Sequence, residues 1–520
     1  MHGGFEPQQT ITNKRSINMA KQYLLIGVGG TGARVLEAFT YLSAAGVLGA
    51  DIPSVHMRMI EMDTDNGNLG RLSKVLDSYS RCHDSVFSYV QEWQSRKIIY
   101  KNTSPFTWQI GVQGNASTLN QKFNNNTENK SLLHGLFGSE DLELLLEEGC
   151  KGRPRIGALE YAKRFQDDIQ PGNADAFWSR LFTGDLAAAS GTGELTVMLV
   201  GSMFGGSGAS GVPNIAKMIK RQFCNGAENK VGLMLMSPFY NFTDNAVFEN
   251  KGAESKKFMI NSKTALLYYD QSDLLDTLHS LYVVGGEVKP MRKMDGTPAN
   301  DSTGSKSQCN PAMPAVLVAA LSVLNFFKEA TNENSGQVVI SKTGSSEENN
   351  WGSYPYRSQL QEGINRLQRL SLMWRFVYNK IDVLDDWRII HKKYKNLMSG
   401  TAFVPHGDFL KETEFIREFF LGHEKKSRVP ENEPWNIGVE GFLQELERNG
   451  MGVMLNMLEE IQGVDGIDLS KTEVVPMGGK FFLDIFANFQ RNSGISVGNL
   501  RDNEKRRARF IAGMTKACFS

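Results

Sequence analysis

The sequence predicts an α/β fold: a doubly wound, mostly parallel sheet with a central core helix and a helix-rich C-terminal domain. Three observations carry this. Two segments, "YLLIGVGGTGARVLEAFTYL" (23–42) and "LTVMLVGSMFGGSGASGVPNIAKMIKRQF" (195–223), each read as buried strand, glycine turn and helix. Strand and helix patterns alternate as far as about residue 330, the signature of crossover connections between parallel strands. Beyond residue 331 strand patterns nearly vanish and helical spacing dominates.

In chain order, residues 1–20 are polar, lack the apolar core of a signal peptide and read as a flexible tail. After the strand at Tyr23, Val35, Phe39 and Leu42 recur at helical spacing, with Leu36 beside them. A second strand, "VHMRMIEM" (55–62), ends in "DTD" (63–65). Residues 66–148 hold helical pieces and an Asn-rich stretch (113–130) that reads as a surface insertion. The segment 141–149 reads as a helix, followed by a basic turn and another helix in "CKGRPRIGALEYAKRF" (150–165). Strand 231–239, helix 254–269 and strand 280–285 follow the second glycine loop. A polar loop (286–310) then leads into the apolar helix 312–329, whose interrupting prolines, serine and asparagine suit a buried core helix better than a membrane span. After "GQVVIS", the residues Leu360, Ile364, Leu367, Leu370, Trp374, Val377 and Ile381 form one helical stripe. The expected organisation is therefore a tail (1–20), a sheet domain (21–330) and a helical domain (331–520).

Composition excludes several classes. Fifty-seven basic residues balance fifty-seven acidic ones, so no global field favours nucleic acid or an anionic membrane. The cluster "RDNEKRRARF" (501–510) reads as a solvated helix end. Five scattered cysteines without zinc spacing read as reduced thiols, giving the expectation of a cytoplasmic protein.

The chemistry lies in the glycine loops. Glycine at the end of a buried strand lets backbone approach a ligand, and the helix that follows offers unpaired N–H groups and a partial positive charge to phosphate. "GVGGTG" (27–32) and "GSMFGGSGASG" (201–211) both have this form, and "GCKGRPRIG" (149–157) is a third candidate. No G-x-x-x-x-G-K-[ST] occurs, which excludes a P-loop. Neither Ser207 nor Ser210 has the flanking glycines of a nucleophile elbow. A Rossmann dinucleotide site fits poorly, because Asp63 lies more than thirty positions past the first loop and the serine-rich loop is left without a role. "IGVGGTGARVLEAF" with "DTDNGNLGR" resembles the ATP site of ThiF-like and ubiquitin-activating adenylating enzymes, whose zinc cysteines and transferring cysteine are not evident here.

All three loops, in order, are similar to those of the tubulin/FtsZ superfamily. "IGVGGTGARV" (26–35) resembles its first loop, "MDTDNGNL" (62–69) its Asn/Asp-Thr-Asp turn, "GRPRIG" (152–157) the FtsZ Gly-x-x-Pro-x-x-Gly, one residue short before the proline. "FGGSGASG" (204–211) resembles the signature phosphate loop, and "MSPFYNF" (236–242) the Pro-Phe that ends the next strand. The closest resemblance is to divergent bacterial tubulin-like proteins. It implies a domain that binds GTP or another nucleoside triphosphate and self-assembles head to tail into filaments or oligomers, with a further protein partner. The implied nucleotide residues are Gly27, Gly29, Gly30, Thr31, Gly32, Asp63, Asp65, Gly152, Arg153, Gly157, Gly205, Gly206, Ser207, Gly208 and Asn310. Asp63 and Asp65 are candidates to position Mg²⁺ through water, or simply form a turn; Asn310 is a candidate to read the base or to cap a helix. Ala33 and Arg34 stand where FtsZ carries a guanine-reading asparagine, and Glu333 is the one acidic residue where the family carries its catalytic carboxylates. Weak or absent hydrolysis is the expectation. A scaffold that binds nucleotide without polymerising is the remaining alternative.

Overall fold

The computed structural model describes residues 21–61, 67–90, 93, 95–110, 118–122, 127–146, 150, 153–170, 172–173, 176–187, 195–226, 228–241, 255–290, 310–344, 349–380, 411–422, 438–452, 508, 511–516 and 518. Its strands are β1 (Gln22–Val28), β2 (Ser54–Glu61), β3 (Lys97–Ile99), β4 (Thr107–Gln109), β5 (Leu195–Ser202), β6 (Lys230–Met236), β7 (Tyr240–Asn241), β8 (Ser280–Gly285), β9 (Lys289–Pro290) and β10 (Gln337–Lys342). The principal helices are α1 (Gly29–Ala44), α2 (Gly67–Ser85), α3 (Pro154–Asp168), α4 (Gly206–Gln222), α5 (Ser255–Gln271), α6 (Pro314–Glu329), α7 (Arg357–Lys380), α8 (Glu414–Leu421) and α9 (Val439–Arg448).

Eight strands make one sheet in the order β10-β8-β6-β5-β1-β2-β3, with β4 pairing the carboxyl half of β2 beyond β3. Every pairing in it is parallel. Parallel strands covered by helices on both faces must be apolar throughout, and β5 and β6 are buried at every residue. The strand order reverses between β1 and β5. From β1 the chain runs outward through α1 to β2; it then returns to the other flank of β1 as β5 and continues outward to β6, β8 and β10. The helices that follow these two central strands lie on opposite faces. Leu25 packs in the core shared by α1, α2, α6 and the C-terminal helices, whereas Leu24 and Ile26 pack in the core under α3 and α4.

Helix α6 is apolar on all sides because it is enclosed on all sides: Val316, Leu317, Ala319, Val323 and Leu324 are each 1% exposed or less. Past residue 330, β10 joins the edge of the same sheet against β8. Leu360, Ile364, Leu367, Leu370 and Trp374 are buried as the stripe predicts, and they share one core with α1 and α6. The expected cut at 330 therefore runs between α6 and a strand that extends the sheet.

Two local expectations are corrected. Residues 141–146 do not continue as one helix: Ser139–Leu142 is one helical turn, followed by a turn and irregular backbone to 146, and 147–149 lie outside the described residues. The stretch 113–130 is not all loop, since Leu119–Lys122 and the start of Thr127–Leu136 are helical. Among the described residues no helix is long and apolar enough to cross a membrane. Cys82, Cys150, Cys224 and Cys518 are free and buried.

Candidate functional site

In an open parallel sheet the crevice at the carboxyl ends of the strands, where the order reverses, is the natural ligand position. Both glycine loops lie there, one after β1 and one after β5. Gly29 adopts φ +67°, a conformation that favours glycine, and a Cβ built on it would stand 3.3 Å from Cβ of Ser207. The two loops thus touch. Gly208 serves close approach: a Cβ there would lie 2.5 Å from the Ser202 carbonyl oxygen and 2.6 Å from its nitrogen.

Each loop opens a long helix whose first turn has no side-chain cap and no acidic residue; the N-caps are Val28 for α1 and Gly205 for α4. Their first N–H groups are left for an external acceptor, and the two helix dipoles add. Gly30, Thr31, Gly205 and Ser207 are half-buried among fully buried neighbours, so the loops reach the surface only at these points. Pro213 in α4 donates nothing to the Ala209 carbonyl, which accepts from the Tyr269 hydroxyl at 3.3 Å instead.

Beside the first loop stands an amide wall. A Cβ on Gly30 would lie 2.8 Å from Nδ2 of Asn68, and Oδ1 of Asn68 accepts from the Asn310 backbone N–H at 3.0 Å. Asn310 is 8% exposed. The N-cap of α6 is Met313, so Asn310 does not cap that helix.

One helical turn deeper lies a buried charge cluster. Arg71 forks onto Glu445, Nη1 to Oε1 at 2.8 Å and Nη2 to Oε2 at 2.9 Å, and its Nε donates to both Glu37 oxygens at 3.0 and 3.1 Å. Arg34 donates to Glu37 and, at 3.1 Å, to Glu445. Glu445 also accepts the Ala312 backbone N–H at 2.8 Å, and Asn449 donates to the Ala312 carbonyl at 3.1 Å. All four charged side chains are 3% exposed or less. Two guanidinium groups face two carboxylates, so the formal charges cancel.

The third loop is placed differently. Arg153 is a third exposed and pairs with Asp141 at 3.1 Å and Glu140 at 3.7 Å. Gly157 sits where α3 crosses α4, against Ser210 and Cys150. Asp63, Asp65 and Gly152 lie outside the described residues. Glu333 is exposed in the short turn Asn332–Asn334, at the opposite end of α6 from Asn310. That end adjoins the start of β8: His279 contacts the Thr331 carbonyl at 2.6 Å, and Gly336 donates to the His279 carbonyl. Sixteen residues of α6 at about 1.5 Å each put Glu333 roughly 24 Å from the glycine loops. Among the described residues no group of three or more His, Cys, Asp or Glu side chains is arranged to hold a metal.

Sequence reading singled out neither Asn68, Arg71 nor Glu445. Asn68 and Arg71 follow the "DTDNG" turn one helical turn apart, a signal that was present; nothing in the sequence points to Glu445.

No protein-family model matches the chain, and no curated protein matches it. Solved structures do. The chain is similar to CetZ1 from Haloferax volcanii, described as a GDP-bound monomer, at 12% identity and TM-score 0.26, over 51% of each chain. It is similar to CetZ2 from the same organism, described as a GTPγS-bound protofilament, at 14% identity and TM-score 0.28, over 61% of this chain and 64% of that one. CetZ from Methanosaeta thermophila aligns at 11% identity and TM-score 0.29, over 60% and 57% respectively. The chain thus spans between half and two thirds of the length of these structures.

Proposed function

We propose that the chain binds a nucleoside triphosphate, GTP the first candidate, across the β1–β5 crevice and associates head to tail through that end of the molecule. The observation that carries this is the contact of the two glycine loops, Gly29 against Ser207, at the point where the strand order reverses. Two uncapped helix N-termini converge on one place, where backbone N–H groups of Gly29–Gly32 and Gly205–Gly208 would hold the phosphates. The Asn68–Asn310 wall would border the nucleoside. Asp63 and Asp65, just ahead of α2, are the proposed Mg²⁺ partners, the ion screening phosphate charge when bound.

Glu333 is too far from this crevice to act on a nucleotide in its own chain. A carboxylate at the other end of α6 would reach a nucleotide only on a second copy stacked end to end, and a single carboxylate there leaves the two-acid arrangement incomplete, so hydrolysis stays slow with or without assembly. The test has two arms. Chromatography of the denatured protein identifies any nucleotide carried, and sedimentation with and without added GTP reads assembly. A protein that carries no nucleotide, and binds neither GTP nor ATP, overturns the proposal.

A further inference from the structure

We infer that Glu445, on a helix some four hundred residues along the chain from the first glycine loop, sets the nucleoside wall of the crevice and couples nucleotide binding to docking of the C-terminal helices. This inference rests on the nucleotide reading above and goes beyond it.

The argument is one of register. Three elements contribute to the rim: α1 through Gly30, α2 through Asn68, and the entry to α6 through Asn310. Each contributes a second group farther along its chain: Arg34 one turn on in α1, Arg71 one turn on in α2, and the Ala312 backbone N–H two residues on at the entry to α6. Those three groups share one acceptor, the Glu445 carboxylate, within 2.8–3.1 Å. Glu445 therefore fixes how far apart the rim groups stand, although it does not face the crevice itself.

Helix α9 is free to transmit this because it brings its own packing. Phe442 packs tilted against Tyr41 of α1 with ring centres 4.5 Å apart. On its other side Glu440 pairs with Arg375 of α7 at 3.0 and 2.7 Å, away from the crevice. Detaching α9 would take from two buried guanidinium groups a carboxylate that both bond, which is costly in a dry interior. A nucleoside that needs the wall in register therefore favours the docked helix, and by reciprocity the docked helix favours the nucleoside. The phosphate cradle is built by loop backbone, and its Gly205–Gly208 half opens a helix that carries none of the groups Glu445 holds. Position 445 should thus separate the two halves of the ligand.

The experiment compares binding of GTP, ATP and inorganic tripolyphosphate by the wild type, Glu445→Gln and Glu440→Gln, with thermal melting to follow folding. Losing a charged hydrogen-bond partner should weaken the nucleotide that the wild type binds by about tenfold while tripolyphosphate changes less than about twofold. Glu440→Gln, which loosens the same helix elsewhere, should lower the melting temperature without changing that ratio. In the wild type, nucleotide but not tripolyphosphate should protect residues 438–452 from limited proteolysis, and Glu445→Gln should abolish the difference. Parallel loss of both ligands, no loss of either, or the same selective loss in Glu440→Gln overturns the coupling. A wild type that binds tripolyphosphate but no nucleotide also overturns it, and one that binds neither overturns the nucleotide reading itself.

Discussion

The two ends of α6 are built on opposite principles. At its amino end Asn310 and Ala312 are tied to α2 and α9 across long sequence separations, and every polar side chain in the cluster is buried. At its carboxyl end the side-chain bonds of the turn are local, and the long-range contact is one to backbone: Thr331 and Asn334 form a capping box, Asn334 donates to the Glu329 carbonyl, His279 meets the Thr331 carbonyl, and Glu333 faces solvent. The first arrangement holds groups in register, as the proposed nucleotide site requires. The second merely turns the chain and leaves a carboxylate pointing outward, as a group acting on another molecule would be.

The sharpest way to break this contrast is Gly206→Leu. A side chain in the first turn of α4 keeps the helix but fills the space over its N–H groups, and nucleotide affinity should fall by about a hundredfold or more with the circular dichroism unchanged. Unaltered affinity would remove the phosphate loop from the site.

The amino ends of the strands should also be where acid acts. Burial, then neighbouring Arg58, pushes the pKa of His56 down to about 4 against Asp185, and burial lowers that of His279 as well. A histidine with a depressed native pKa binds its proton more readily unfolded, so its contribution is intact above the ordinary value near 6.5 and is lost as pH falls toward about 4. Urea melts at pH 7 and pH 5 should differ by about 2 kcal/mol on this account, with the difference much reduced in His56→Gln. Nucleotide affinity of the folded protein should not follow that loss, because His56 is at the other end of the sheet.

Asn68→Ala should cost about tenfold in nucleotide affinity, since it leaves the Asn310 N–H without its acceptor, while tripolyphosphate binding is spared. The smallest effect on binding is expected of Glu333→Ala: less than about twofold, because it lies about 24 Å away. Its effect belongs to turnover. Phosphate release should be slow in the wild type and should not rise steeply with protein concentration. Fast, concentration-dependent release that disappears in Glu333→Ala would restore an ordinary two-subunit hydrolase.

The main strands and the glycine loops were legible in the sequence because both are local signals. Continuous apolar runs such as "LTVMLV" need no partner to be recognised as buried strands, and glycines at their ends mark where backbone must pass closely. The all-round apolar character of 314–329 announced an enclosed helix for the same reason. Tertiary structure alone decided which charges meet. Arg34, Arg71 and Glu445 are separated by up to 411 positions, and nothing in local spacing distinguishes Glu445 from Glu447, its neighbour on the same helix. It also decided that Arg153 turns to Asp141, and that the strand beyond residue 330 completes the sheet. Pairing of buried charges depends on which helix faces are pressed together, and that follows from the whole core rather than from any window of the chain.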